Sequence, residues 1–127
     1  MASISELSAN FAEKERPAGN LLDEVAVLAQ AVAAVRFYSG YAALAAHAGV
    51  SPAPEISGDT VISVSEWAII RPLFMLYIER EQSLQLEATR HMGLDVFGRS
   101  SSEVQGDINQ VELSMPHLAS MQMIISI

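Results

Sequence analysis

The sequence predicts a mainly α protein: a small helical bundle with two long helices, a short third helix, a minor β-like segment and an extended C-terminal arm. Three observations predict it. Apolar residues recur at helical spacing along two long stretches, helix-start signatures precede the second and third helices, and glycine or proline stands where each helix should stop. The 127 residues fit one domain, since domains cluster at about 100–150 residues. Within it the reading is an N-terminal arm or short helix over 1–19, a helical core over 20–116 and an extended arm over 117–127.

The elements follow in order. Ile4, Leu7 and Phe11 are spaced to share one face of a helix beginning near Ser3 or Ser5, and Pro17-Ala18-Gly19 closes that segment as a linker. Asn20 is a favoured N-cap, and Asp23 and Glu24 fall where a helix dipole welcomes acids. A long alanine-rich helix is therefore expected from Asn20 toward His47, with Gly49 as its C-cap and Ser39-Gly40 as its weak point. Its many alanines let other helices approach closely, which marks it as central. Ser51-Pro52-Ala53-Pro54 is a loop, and Ile56 to Ser63, β-branched around Gly58-Asp59, is the β-like piece.

Ser63-Val64-Ser65-Glu66 has the pattern of a capping box, so a second long helix starts there. Its stripe runs Trp67, Ile70, Phe74, Tyr77, Leu84 and Ala88, with a kink or restart expected at Pro72 and a stop at Gly93. Ser100 to Glu103 repeats the box, and Val104, Ile108, Val111 and Met115 stripe a third helix that Pro116 should end. Beyond it Met121, Met123, Ile125 and Ile127 alternate with Gln122, Ile124 and Ser126, a period of two that suits a strand.

Composition narrows function. With no cysteine, disulfides, thiolate-bound zinc and thiol catalysis are excluded. Fifteen acids against seven bases give a net charge of -8, which disfavours gripping nucleic acid phosphates or an anionic membrane. The longest apolar run, Val25 to Val35 and broken by Gln30, is eleven residues long. As a helix it rises only about 16 Å against a hydrocarbon core of about 30 Å. Met1 to Asn20 lacks the basic start and apolar stretch of a secretory signal. Yet 50% of residues are hydrophobic, only 17% are charged and the mean hydropathy is +0.27. A chain this apolar and this short is expected to cover its surface with partners.

Chemistry is largely missing. No Glu-x-x-His pair, His-Glu-x-x-His, Gly-x-Ser-x-Gly or phosphate-binding glycine loop occurs, so no metal, cofactor or catalytic set is expected. Glu87 and His91 stand four apart, a spacing that serves a surface hydrogen bond and anchors only a weak enzyme reading. Two features rise above this background. Arg71, Glu79, Arg80, Glu81, Glu87 and Arg90 crowd one helix, either as a solvated face or as a polar seam between identical subunits. Met121, Met123, Ile124, Ile125 and Ile127 offer an apolar arm that pairs within the domain, against Thr60 to Val64, or with a partner's sheet.

The order of parts resembles the small head-to-tail adaptor proteins of tailed bacteriophages. The resemblance covers Asn20 to Ile127 and is carried by the two long helices, the Ser63-to-Trp67 start, the Asp95-Val96-Phe97-Gly98-Arg99-Ser100 turn, the short third helix and the extended apolar tail. It implies a structural virion subunit, not an enzyme. Such subunits form a ring, commonly of twelve copies, that joins the capsid portal to the tail and continues the DNA channel. The implied partners are further copies of the chain, the portal protein and a downstream tail or collar protein, with Met121 to Ile127 as the docking arm. DNA would pass without sequence-specific binding, helped by the acidic charge. The implied location is the virion neck, after assembly in the host cytoplasm. The competing reading from the residues is a dimeric helical module that captures a partner helix or peptide between its long helices.

Overall fold

The structure, a computed structural model, describes residues 2–15, 23–42, 44–47, 55–90 and 100–125, with 14–15, 89–90 and 119–125 as backbone alone. The protein is mainly α, as the sequence predicts. Helix α1 spans Ile4–Asn10 and passes into a wider π-type turn over Phe11–Glu15. Ser3 caps α1, its hydroxyl accepting the Glu6 N–H at 3.1 Å. The residues just before it form a two-residue strand, β1 (Ala2–Ser3), antiparallel to β2 (Val61–Ile62) with Ala2 opposite Ile62.

The turn leading into β2 also feeds α1. The Ile4 and Ser5 amides, which a helix start leaves without internal partners, donate to the carbonyls of Thr60 and Gly58 at 2.9 Å each. Gly58 lies so close to α1 that a methyl group in place of its hydrogen would collide with the Ser5 hydroxyl. Ile4 and Phe11 are fully buried and Leu7 packs beside them, so the face set by their spacing docks on this same chain. The N-terminal segment thus contributes to the core.

Helix α2 covers Glu24–Ser39. Asp23 caps it, accepting the Ala26 N–H at 2.8 Å, and Gly40 ends it. The expected continuation to His47 is corrected: after Gly40 the chain turns, Tyr41 and Ala42 donating back to the Tyr38 carbonyl, and only a short 3-10 turn forms at Ala45–His47. Two effects break the helix here. Glycine is a poor helix interior, and the Ser39 hydroxyl takes the Arg36 carbonyl at 2.8 Å, while buried Tyr38 and Leu44 anchor the bend on both sides. The alanine-rich helix is central as expected, touching α1 and both of the later long helices, with Ala31 and Ala34 fully buried.

Helix α3 runs Val64–Arg90 and α4 runs Ser101–Ile125. The first capping box is complete: Glu66 N–H donates to the Ser63 hydroxyl (3.2 Å) and Ser63 N–H to the Glu66 carboxylate (3.0 Å). The core stripe holds from Ile70 through Phe74 to Tyr77, but Leu84 and Ala88 lie exposed, because α3 passes beyond the buried cluster there. Phe74 is the aromatic hub, edge-on to Phe11 at 5.1 Å and tilted against Trp67 at 5.4 Å. Val104, Ile108 and Met115 of α4 are fully buried, and α4 packs mainly along α3.

The short third helix and the extended arm are both corrected. Helix α4 continues through Pro116, so Met121, Met123, Ile124 and Ile125 belong to its last turns; Ile127 lies outside the described residues. Proline removes one helical hydrogen bond and crowds the preceding turn. By residue 116, however, about four turns already exist, and adding turns to an existing helix is far easier than starting one. Pro116 is also exposed, as is Pro72, through which α3 runs without a break, so carbonyls robbed of a partner lie near water. The expected pairing of the arm against Thr60 to Val64 is not formed among the described residues: the backbone through Ile125 is helical, and the partner of β2 is β1.

Candidate functional site

Along the middle of α3 apolar residues are not confined to one stripe. Leu73 and Ile78 are buried beside Phe74 and Tyr77, while Pro72, Met75 and Leu76 carry the apolar surface around to a further flank. A helix apolar on several sides is contacted on several sides. There a groove of about 550 Å³ opens, lined by Phe11, Pro72, Met75, Leu76 and Ile78, with Glu79 and Gln82 at the polar end. Phe11 forms one wall because the π-type turn carries the chain past α3 at this level. The groove is the candidate site. The sequence signal for it was the off-stripe pair Met75-Leu76, which the expected Trp67-to-Tyr77 stripe leaves unused.

The six charged candidates on α3 separate into different roles. Arg80 works inside the chain: its guanidinium lies 4.9 Å above the Tyr77 ring and donates to the Gln105 side chain of α4 at 3.0 Å. Burial, then the Glu112 carboxylate, push the Tyr77 phenol up to about 12, against the opposite pull of Arg80. Glu87 also works inside the chain. Its two oxygens accept the Ser101 N–H (2.7 Å) and the Ser101 hydroxyl (2.8 Å), capping α4 from the end of α3. Glu79 lines the groove, Arg71 and Glu81 are half-buried on α3, and the Arg90 side chain lies outside the described residues. The same is true of the side chains of Met121, Met123, Ile124 and Ile125.

Glu66 exceeds its expected role. It is 3% exposed, and its second oxygen accepts the Ala45 N–H at 3.1 Å, tying the turn after α2 to the start of α3. Burial, then this carboxylate, raise the Tyr38 phenol above its ordinary value. Among the described residues no group of three or more His, Asp or Glu is placed to hold a metal ion, and no helix is long and apolar enough to cross a membrane. His91 and the Asp95-to-Arg99 turn lie outside the described residues. No family model, curated protein or solved structure matches the chain. The described surface thus offers an apolar trough walled by helical segments, with polar groups at one end.

Proposed function

We propose that this chain is a structural subunit of a larger protein assembly. The observation that carries the reading is the contiguous groove formed by Phe11, Pro72, Met75, Leu76 and Ile78. It persists although the chain closes a full core elsewhere, and clefts lined mainly by apolar side chains with a few polar groups are where binding commonly occurs. The apolar composition, with few charges to solvate a free surface, supports the same reading.

The specific form we propose is the head-to-tail adaptor ring of a tailed bacteriophage: about twelve copies in the virion neck, seated on the portal and followed by a tail or collar protein, after assembly in the host cytoplasm. What supports it is the part of the resemblance that lies in the long helices and the Ser63-to-Trp67 start, together with the mainly helical architecture; the short third helix and extended tail no longer count toward it. Arg71, Glu79 and Glu81 are then the candidates for contacts between neighbouring subunits, and the outer turns of α4, rather than an extended strand, are the candidate portal contact. Mass measurement of the purified chain, alone and with a candidate portal, tests the ring. A closed ring near twelve copies, or a monomer that becomes a ring on the portal, supports it; a chain that stays monomeric beside every portal offered overturns it.

The groove also favours a second reading, a dimeric module that captures a partner helix. A tight dimer that binds short helical peptides and ignores portals would select it over the ring.

A further inference from the structure

We propose that β1, α1 and the π-type turn form an exchangeable plug, which on assembly leaves its own seat and fills the same seat on a neighbouring copy. The inference rests on the reading of the chain as a subunit of an assembly, and it names the segment that one subunit inserts into the next. The seat is built wholly from the rest of the chain. The edge of β2 pairs with β1, the Thr60 and Gly58 carbonyls accept the Ile4 and Ser5 amides at 2.9 Å each, and α2 lies along α1. Phe74 of α3 meets the ring of Phe11 at 5.1 Å.

The occupant is therefore fixed by the structure itself. A strand edge with two carbonyl acceptors recognises backbone, while buried Ile4 and Phe11 are side-chain anchors seven positions apart, which is how strand addition combines affinity with specificity. Gly58 adds a steric filter, because a methyl group there would meet the Ser5 hydroxyl. A second copy offers the identical segment, so each bond broken within a chain is remade between chains.

Two features make this the piece that moves. With seven residues α1 is well below the length of about 12–15 that an isolated helix needs in water, so its order comes from docking. It then passes into a π-type turn at Phe11–Glu15, a rare geometry that is frequent at functional sites. The link to α2, residues 16–22, includes Pro17 and Gly19, and the eight steps from Glu15 to Asp23 reach at most about 28 Å. Such a tether sets the effective concentration of the segment at its own seat in the millimolar range. Copies held side by side in a ring meet at a comparable concentration, so assembly is what turns the seat over to the neighbour. Segment and seat are different surfaces, and a contact of that kind runs head to tail and closes by rotation, as a ring requires.

With no cysteine in the chain, a directed disulfide gives a clean test. Ser3 faces Val61 across the ladder, and both are half-buried. Opposed residues of an antiparallel pair stand about 4.5–5.5 Å apart between Cα atoms, a gap that a disulfide spans. Full chains carrying either Ser3→Cys or Val61→Cys are mixed in equal amounts, unfolded in urea, refolded together and oxidised, and light scattering records the mass. At about 1 mM chain the mixed disulfide should exceed by about tenfold that of a control pair, Ser3→Cys with Ala29→Cys on the exposed face of α2, and at about 10 μM it should fall to the control level. Adding Gly58→Val to the Val61→Cys chain should abolish the excess, since that seat then rejects the segment. One chain carrying both cysteines should close on itself at about 10 μM, which fixes the register.

A mixed disulfide no more abundant than in the control pair, or one that survives Gly58→Val, overturns the proposal, and so does a chain with both cysteines that fails to close on itself. A closed ring in which that double variant forms internal disulfides alone removes this proposal and leaves the assembly reading in place. Excess mixed disulfide in a chain that never grows beyond pairs, with or without a portal, upholds the exchange and overturns the ring.

Discussion

The two ends of α3 are each secured by a glutamate, and the two glutamates work differently. At the start, Glu66 is buried and divides its carboxylate between the Ser63 amide three residues away and the Ala45 amide on the turn after α2. At the far end, half-buried Glu87 gives both oxygens to Ser101 and caps the next helix rather than its own. The first fastens three pieces of chain in the interior, and the second closes a hairpin at its rim. A carboxylate's contribution is set by how far from water its bonds lie and how many amides its loss would strand.

The comparison yields an order of effects. Glu66→Ala should lower stability by about 3 kcal/mol, since it strands the Ser63 and Ala45 amides and empties buried space. Urea unfolding followed by circular dichroism measures this, and a loss no greater than that of Glu87→Ala would erase the distinction between the two ends.

Between those ends stands Tyr77, whose phenol is raised from 10.0 to about 12. The folded chain keeps this proton longer than the unfolded chain does. The contribution is therefore fully present below pH 10 and is lost as pH climbs toward 12, about 2.7 kcal/mol in all. Alkaline stability curves for the parent and Tyr77→Phe should differ by that amount at their upper end; parallel curves would show that the middle of α3 is not sealed.

Glu87→Ala should cost about 1.5 kcal/mol, because water can reach the freed Ser101 amide. Ser101→Ala should cost least, about 0.5 kcal/mol, as the 2.7 Å amide bond remains. Hydrogen exchange sharpens the contrast: Glu87→Ala should speed exchange in the first turn of α4 and leave the Ala45 amide protected, and Glu66→Ala should do the reverse.

Local chemistry made much of this legible. The Ser63–Glu66 box, the Val104–Ile108–Met115 stripe, the Ile4–Phe11 face and the weak point at Ser39-Gly40 all depend on residues within a few positions of one another, and each took the expected form. What escaped depends on distant chain. Glu87 and Ser101 are fourteen residues apart, so no spacing rule joins them. Before α4 a second Ser-x-x-Glu pattern is half made, with the Glu103 N–H on the Ser100 hydroxyl at 3.3 Å, while the capping carboxylate on Ser101 comes from α3. Pro116 misled because its cost was set against a fresh start and not against a helix four turns old. The alternating tail misled because a period of two over seven residues is a weak signal beside a helix already four turns long, which continues through it at little cost. The groove stayed hidden because its opposite wall, Phe11, comes from a segment sixty residues from the rest.

The single tryptophan, Trp67, follows Glu66 directly and leans on Phe74, whose other edge meets Phe11. Its emission colour and quenching thus respond to the bracing glutamate on one side and to the seating of the N-terminal segment on the other. The molecule carries its own optical gauge for the joint on which its architecture turns, and no dye or tag is needed to watch that joint loosen.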